Sequence, residues 1–301
     1  LVLVGDEAMQ HADASLLRAL ARFIAGAADA ACNELPAGAN GVGLSAVGVV
    51  PAKGQGAHAA LARHPGTLLL YRAELPHDFA DMTQAQAALI AAKQVVAFTA
   101  YANEGLRARA TLLLPVGQTA EIDGSMVNVD GTLQGFRAAA KAPGETRPGW
   151  RVLRALGAAL ELPGFAFTEF SELHAEVAAV IGSASTTAPD VAAGKPTEIT
   201  GEGLSRVATV APYSVDAQVR RSPALQATPI AASAAAAVHP ADAKRLGLAG
   251  ARQVRVRSAH GEAELGLILS DRVPMGAVWI ESAQDATARL GHMGSKLVLS
   301  E

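Results

Sequence analysis

Short apolar runs alternate with stretches of helical periodicity along the first half of the chain. Residues 1–4 (LVLV) form one such run, closed by Gly5. Residues 67–71 (TLLLY), 95–99 (VVAFT) and 111–114 (TLLL) repeat it, the last ended by Pro115. Such runs, without polar alternation, have the pattern of strands buried on both faces. Between them, residues 15–25 (SLLRALARFIA) set Leu16, Leu20, Phe23 and Ile24 at helical spacing, with Asp13 or Ser15 placed to cap. Residues 84–92 predict a second helix, and 106–110 a helical turn. Strands and helices in alternation predict a parallel sheet covered on both faces. Residues 33–51, rich in Gly and Pro, predict an extended loop.

A Gly-punctuated segment, 121–134, follows. Residues 150–160 (WRVLRALGAAL) put Trp150, Leu153, Leu156 and Leu160 on one stripe, with Arg151 and Arg154 off it, which predicts an amphipathic helix. Residues 171–180 predict another. Residues 182–203 carry almost no large apolar side chains and are full of Ser, Thr, Gly and Pro, the composition of a linker or mobile loop. Beyond it, 206–210, 253–257, 262–268, 277–280 and 297–299 read as short strands. One helix interrupts them at 240–246, with Pro240 at its first position, Asp242 near its positive end and Gly247 as C-cap. The expected fold class is α/β: a mostly parallel sheet flanked by helices, followed by a small closed barrel. The expected boundaries are 1–181 for the α/β domain, 182–204 for the linker and 205–301 for the barrel. No internal repeat is visible.

Composition narrows the chemistry. A chain of 301 residues suggests two domains, or three, and can bury a core without disulfides or a structural metal. One cysteine cannot form an internal disulfide, a Cys-based zinc site or an iron–sulfur cluster. A net charge of −3 argues against a nucleic-acid partner. Mean hydropathy is +0.23, yet no apolar run is long enough to cross a membrane. The excess is mostly alanine. The chain opens on Leu1 without a basic n-region or cleavage pattern, and reads as a piece of a longer polypeptide beginning at a strand.

The search for reactive groups returns little. Residues 38–46 (GANGVGLSA) contain a formal G-x-G-x-x-A from Gly41 to Ala46. That motif binds a pyrophosphate where a strand precedes it and a helix follows. Glu34-Leu35-Pro36 does not read as a strand, and the alternative is a loop whose backbone packs closely on a neighbour. The histidines His11, His58, His64, His77, His174, His239, His260 and His292 show no metal-ligand spacing. Cys32 has no basic residue or histidine within a few positions and reads as an inert thiol. Ser45 and Ser125 lack a nucleophile-elbow context.

Glu121, Asp123 and Asp130 form an acidic patch near a strand end, where α/β proteins bind ligands. Turn and cap roles are the alternative, since Asp-Gly occurs twice here, at Asp123-Gly124 and Asp130-Gly131. Arg255 and Arg257 share one strand face, with Val254 and Val256 on the other. They are either half-buried strand patterning or an anion-binding pair. Arg220-Arg221 reads as a solvated pair or a domain-interface contact. No nucleophile–base pair, metal cluster or acid–base dyad emerges, so no catalytic residue and no metal ligand is expected.

Two segments carry a family resemblance. In the first, Thr111-Leu112-Leu113-Leu114-Pro115 is followed by Glu121, Gly124, Asn128, Gly131 and Gln134, and then by Trp150 opening a helix. This resembles the molybdopterin oxidoreductase family, with its strand ending in Leu-Pro, its Glu, Gly, Asn, Gly-Arg, Gln series and its Trp-containing helix. The second comprises His239-Pro240-Ala241-Asp242-Ala243, Leu246-Gly247-Leu248, Val254-Arg255-Val256-Arg257-Ser258, Gly261 and Gly276-Ala277-Val278. It resembles the family's C-terminal dinucleotide-binding domain, a double-psi β-barrel.

Within that family, the stretches LPAGANGVGLSAVGVVP, GSMVNVDGTLQGFRAAAKAPGETRPGWRVLRALG and YSVDAQVRRSPALQAT look like one branch. They resemble the C-terminal region of the large peripheral-arm subunit of bacterial NADH-quinone oxidoreductase (respiratory complex I). The resemblance implies a body that keeps the molybdoenzyme fold but not its cofactor, with iron–sulfur clusters in a part N-terminal to these residues. It implies other peripheral-arm subunits of complex I as partners and a cytoplasmic location, held at the membrane through the parent complex without direct insertion. The family's Gly-Arg is Gly131-Thr132 here, which removes a cationic phosphate partner. Glu121, Asn128, Gly131 and Gln134 match the family series and are read as structural turns at a vestigial cofactor cleft. Arg255 and Arg257 are the remaining cleft candidates. Two other readings stand beside this one: a fragment of a catalytic molybdopterin enzyme such as a formate dehydrogenase, and a free-standing nucleotide-binding module.

Overall fold

The apolar runs do become parallel strands. The computed structural model describes residues 1–11, 13–35, 38–49, 56–63, 66–74, 77–79, 82–183, 195–196, 200–231 and 234–301, with residues 10, 58, 82 and 83 described by backbone alone. The chain divides into two compact units. The first comprises Leu1–Met9, Ser15–Arg72 and Ala91–Ala193; the second comprises Gln10–Ala14, Ala73–Ile90 and Gly194–Glu301. Most of the expected linker, 182–204, lies outside the described residues.

In the first unit, β1 (Val2–Val4) pairs in parallel with β2 (Cys32–Glu34), Val2 lying opposite Cys32. Helices α1 (Asp6–Gln10) and α2 (Ala14–Ala27) lie between them in the chain. Then come α3 (Gly41–Ala46) and α4 (Ala57–Ala62). A second parallel sheet has the order β3 (Thr67–Tyr71), β4 (Gln94–Thr99), β5 (Leu112–Pro115), with Leu70 opposite Ala97 and Ala97 opposite Leu113. Helix α5 (Met82–Ala91), next after β3 in the chain, belongs to the second unit except for Ala91, whereas α6 (Glu104–Arg109) follows β4. Asn103 caps α6, its Oδ1 accepting the Leu106 N–H at 2.9 Å. An antiparallel hairpin, β6 (Gly124–Val127) and β7 (Leu133–Phe136), precedes α7 (Gly149–Ala159) and α8 (Phe170–Ser183).

Three expectations for this unit need correction. Residues 33–51 are not one loop: they contain the end of β2 and the helix α3. Glycines weaken a helix in isolation, but Gly43 is buried and leaves room for the Asn40 side chain, whose Oδ1 accepts the Val127 N–H at 2.8 Å. Tertiary contact with β6 thus outweighs propensity. Second, the stripe on α2 faces solvent: Leu20 is 46%, Phe23 74% and Ile24 54% exposed. The helix buries Ala21 and Ala25 instead, whose small side chains allow close approach. On α7 and at its C-cap, likewise, Leu153 and Leu160 are exposed, while Gly149 meets Tyr71 and Gly157 meets the Phe165 ring. Third, the β3–β5 sheet is only partly covered. Val95, Ala97 and Phe98 are buried, but Leu69, Tyr71 and Leu112 are exposed.

The second unit is built on a closed six-stranded barrel in the order β10-β11-β9-β12-β8-β13. Its strands are β8 (Leu204–Val207), β9 (Ala235–Val238), β10 (Gln253–Arg257), β11 (Glu262–Leu269), β12 (Ala277–Trp279) and β13 (Lys296–Ser300). Alternation decides which residues point inward: Val254 and Val256 are buried, while Arg255 and Arg257 are exposed. The interior holds Leu204, Val238, Val254, Val256, Leu265, Val278, Ile280, Leu290, Leu297 and Leu299. The short helix α9 (Pro223–Gln226) precedes β9, and α10 (Pro240–Arg245) follows it. Pro240 starts α10 as the sequence indicates, and the His239 imidazole caps it by accepting the Ala241 N–H at 3.1 Å. Buried Asp242 ties α10 to the turn before β12: its Oδ2 accepts the Gly276 N–H at 2.7 Å. Bonding from Arg245 and from that N–H holds its carboxyl below the ordinary range.

Candidate functional site

Strand β8 carries an arginine on the inward face of the barrel. Leu204 and Arg206 both point in, and Arg206 is 2% exposed. A buried guanidinium needs acceptors. Its Nη1 donates to the Gly291 carbonyl in a short bond. Its Nη2 approaches the Ile280 and Glu281 carbonyls at 3.4 and 3.3 Å and Ser282 Oγ at 3.4 Å. No carboxylate pairs with it among the described residues. Burial pushes its pKa down to about 10, so it remains a cation at neutral pH. Its Nε has no hydrogen-bond partner among the described atoms.

Arg206 lines a cavity of about 540 Å³ in the second unit, with His77, Asp78, Ser214, Ser282 and His292 also on its wall. One side is fixed by an ion cluster. Glu74, 4% exposed, receives Arg220 Nη2 at 2.9 Å and Arg221 Nη1 at 3.0 Å, with a shorter contact to Arg221 Nη2. Arg220 also bonds Asp78 Oδ1 at 3.1 Å and the Ser214 carbonyl at 2.8 Å. Burial alone would raise the Glu74 pKa, but bonds from Arg221 and Arg220 outweigh it and hold the carboxyl below its usual value. His77 presents a buried Nδ1 without a partner among the described atoms. Its Nε2 lies 3.5 Å from Asp285. Burial, helped by the charge of Arg220, holds this imidazole below its ordinary pKa.

Sequence reasoning missed Arg206, Glu74 and His77. The one local signal was an arginine in register with Leu204 on an apolar strand. Arg220-Arg221 is corrected: it is not a solvated pair, since Arg220 is 9% exposed and both side chains clamp Glu74 within the second unit.

The anticipated residues have plainer roles. Glu121 closes a 3-10 turn, its Oε2 accepting the Gln118 N–H at 2.9 Å in a capping box. Asn128 and Asp130 both accept the Thr132 N–H at 2.9 Å, and Gly131 takes the left-handed conformation (φ 89°) that the β6–β7 turn requires. Gln134 sits on β7 opposite Met126. Asp123 accepts the Ala138 N–H at 2.8 Å. Arg255 and Arg257 lie on the outer barrel face, across from Glu264 and Glu262 in the β10–β11 register. The first four candidates therefore belong to the first unit, and the two arginines to the second.

Cys32 lies half-buried on β2, Ser45 on α3 and Ser125 on β6. His64 and the His58 side chain fall outside the described residues. Among those described, no group of three His, Cys, Asp or Glu residues is placed to hold a metal ion. No described helix is long and apolar enough to cross a membrane.

The fold is thus a unit with parallel sheets and helices, and a second unit built on a closed six-stranded barrel that carries the Arg206 cavity. Residues 1–159 match the molybdopterin oxidoreductase family, and residues 208–296 match the molydopterin dinucleotide binding domain. The chain belongs to the molybdopterin oxidoreductase family. Among solved structures it is similar to the acetylene hydratase of Pelobacter acetylenicus, with a TM-score of 0.52 and 14% identity. The similarity covers 79% of this chain and 41% of that one, so this chain spans about two fifths of its length. At that identity the likeness shows the fold. No curated protein matches the chain.

The family implies a molybdopterin dinucleotide, and the residues of the Arg206 cavity can be tested against it. A pyrophosphate carries negative charge that needs free cationic donors. Here most of the Arg206 and Arg220 donors go to protein oxygens, leaving Nε–H and one Nη1–H on each without a partner among the described atoms, and the Arg220 charge is already met by Glu74 and Asp78. The Asp78 carboxylate stands on the same wall, and no thiol lines the cavity among the described residues. With its cationic charge already balanced on Arg220 and a carboxylate on the wall, this donor set does not fit the dinucleotide's pyrophosphate.

Proposed function

We propose that the chain is a non-catalytic body of the large peripheral-arm subunit of an NADH:quinone oxidoreductase (respiratory complex I). Its task is to scaffold the part of that subunit that carries iron–sulfur clusters and to meet neighbouring peripheral-arm subunits. The observation that supports this reading is that, in the Arg206 cavity, protein oxygens take most of the Arg206 and Arg220 donors and Glu74 and Asp78 already meet the Arg220 charge. Gly131-Thr132 in place of the family's Gly-Arg agrees with it. Iron–sulfur clusters would then lie N-terminal to these residues, and the whole would sit on the cytoplasmic face of the membrane through its partners.

The competing reading is a fragment of a catalytic molybdopterin oxidoreductase. Molybdenum analysis and pterin fluorescence on the purified full-length parent separate the two. We expect iron without stoichiometric molybdenum or pterin. One molybdenum per chain would overturn the proposal.

A further inference from the structure

The second unit holds another cavity whose cations are in the opposite state. It measures about 400 Å³, and its wall includes Arg257 from β10 and Lys296 from β13. Lys296 is half-buried, and the hydrogen bond of its Nζ goes to a neutral group, Ser205 Oγ, at 2.9 Å. Neither Lys296 nor Arg257 has a carboxylate oxygen within 4.0 Å among the described residues. At the Arg206 cavity, by contrast, most of the guanidinium donors go to protein oxygens.

The geometry also splits the arginine pair that the sequence offered. Arg257 lines this cavity, while Arg255, two residues back on the same strand, does not. Both face a glutamate across the ladder, so cross-strand charge does not distinguish them. His11, His260 and His292 add three imidazoles to the wall, and one carboxylate, Glu202, opposes the two permanent cations. Met293 and Val298 supply an apolar surface beside them. A half-buried cation without a counter-ion attracts an anion more strongly than one in open water. An arginine fork beside an ammonium suits a doubly charged phosphate monoester. The volume falls in the range of small-molecule sites.

We propose that this cavity binds a small phosphate monoester, with Lys296 and Arg257 holding the phosphate and Met293 and Val298 lying against the organic part. The site does not depend on which branch of the family the chain belongs to.

The test is calorimetry on the 301-residue chain with AMP and inorganic phosphate as probes and adenosine as the uncharged control. AMP should bind and adenosine should not. Lys296→Gln and Arg257→Gln should each weaken AMP binding about tenfold, and Lys296→Arg should restore it to within a few-fold of the parent. Arg255→Gln should leave binding unchanged. Circular dichroism confirms that each variant is folded, and Lys296→Arg keeps the test decisive should Lys296→Gln be unstable. Absence of AMP binding at millimolar concentration overturns the proposal. So does binding that survives both Gln variants, or an equal loss at Arg255, which would mark general attraction to a basic face.

Discussion

Arg220 reaches Glu74 across 146 residues of chain, with Nη2 2.9 Å from Oε2. Arg221 grips the same carboxylate from its other side. The residues just after β3 are thus held to the segment 212–221 inside one unit, and the cavity beside Arg206 has a fixed wall. Removing the charge at Glu74 leaves Asp78 as the one carboxylate on Arg220 among the described residues, beside the Ser214 carbonyl. Glu74→Gln should destabilise the second unit by about 3 kcal/mol in chemical denaturation. A loss below about 0.5 kcal/mol would show that the clamp is dispensable.

The same pair has a pH signature. The folded pKa of Glu74 lies below its ordinary value of 4.5. Its contribution is therefore complete above pH 4.5 and is lost as pH falls through the lower folded value. Denaturation midpoints measured across that window should converge for the parent and Glu74→Gln as the solution becomes more acid. Other carboxylates act equally in both proteins, so the difference isolates Glu74. A gap that persists unchanged at low pH contradicts the assignment.

Arg206 offers a second test. Its fork satisfies carbonyls of Gly291, Ile280 and Glu281 that lie near the barrel wall. An apolar replacement relieves a desolvated cation but leaves those acceptors bare, and with several acceptors the second effect should win. We predict that Arg206→Met lowers stability by about 2–4 kcal/mol, while Arg206→Lys, which keeps one donor group, loses less. A melting temperature equal to the parent's for Arg206→Met would refute this.

How far these features could be read beforehand follows from their range. The limits of β10 match the sequence reading because Val254 and Val256 alternate with Arg255 and Arg257, a local pattern. Strand β9 went unread because its residues are Ala235, Ala236, Ala237 and Val238, and alanine has little strand preference of its own. Its neighbours β11 and β12 place it there. Asp130-Gly131 was legible as a turn from two residues. Glu74 with Arg220 was not, because an ion pair between distant segments leaves no mark in either one. Phe23 failed in the opposite sense: the stripe on α2 was legible, but its partner was not.

That stripe yields a prediction of small effect. Phe23 is 74% exposed, so it contributes little to folding. Phe23→Gln should change stability by less than about 0.5 kcal/mol, whereas Ala25→Leu, at a 3% exposed position on the same helix, should cost about 1–3 kcal/mol through overpacking. The reverse order would mean that the stripe is the buried face after all.

Gly43 sets two effects against each other. Alanine is the better helix former by roughly 1 kcal/mol. A Cβ at this position, however, would overlap the Asn40 side chain and stand 3.2 Å from Val127 Cγ2. Asn40 would have to release the Val127 N–H, an amide on a buried residue, at a cost of about 1–3 kcal/mol. The crowding adds to that cost, so the steric side should win, and Gly43→Ala should be less stable by about 1–2 kcal/mol. Pairing it with Asn40→Ala supplies the check. If the clash with Asn40 is the cause, Gly43→Ala should cost clearly less in the Asn40→Ala background, and equal costs in both backgrounds would refute the mechanism.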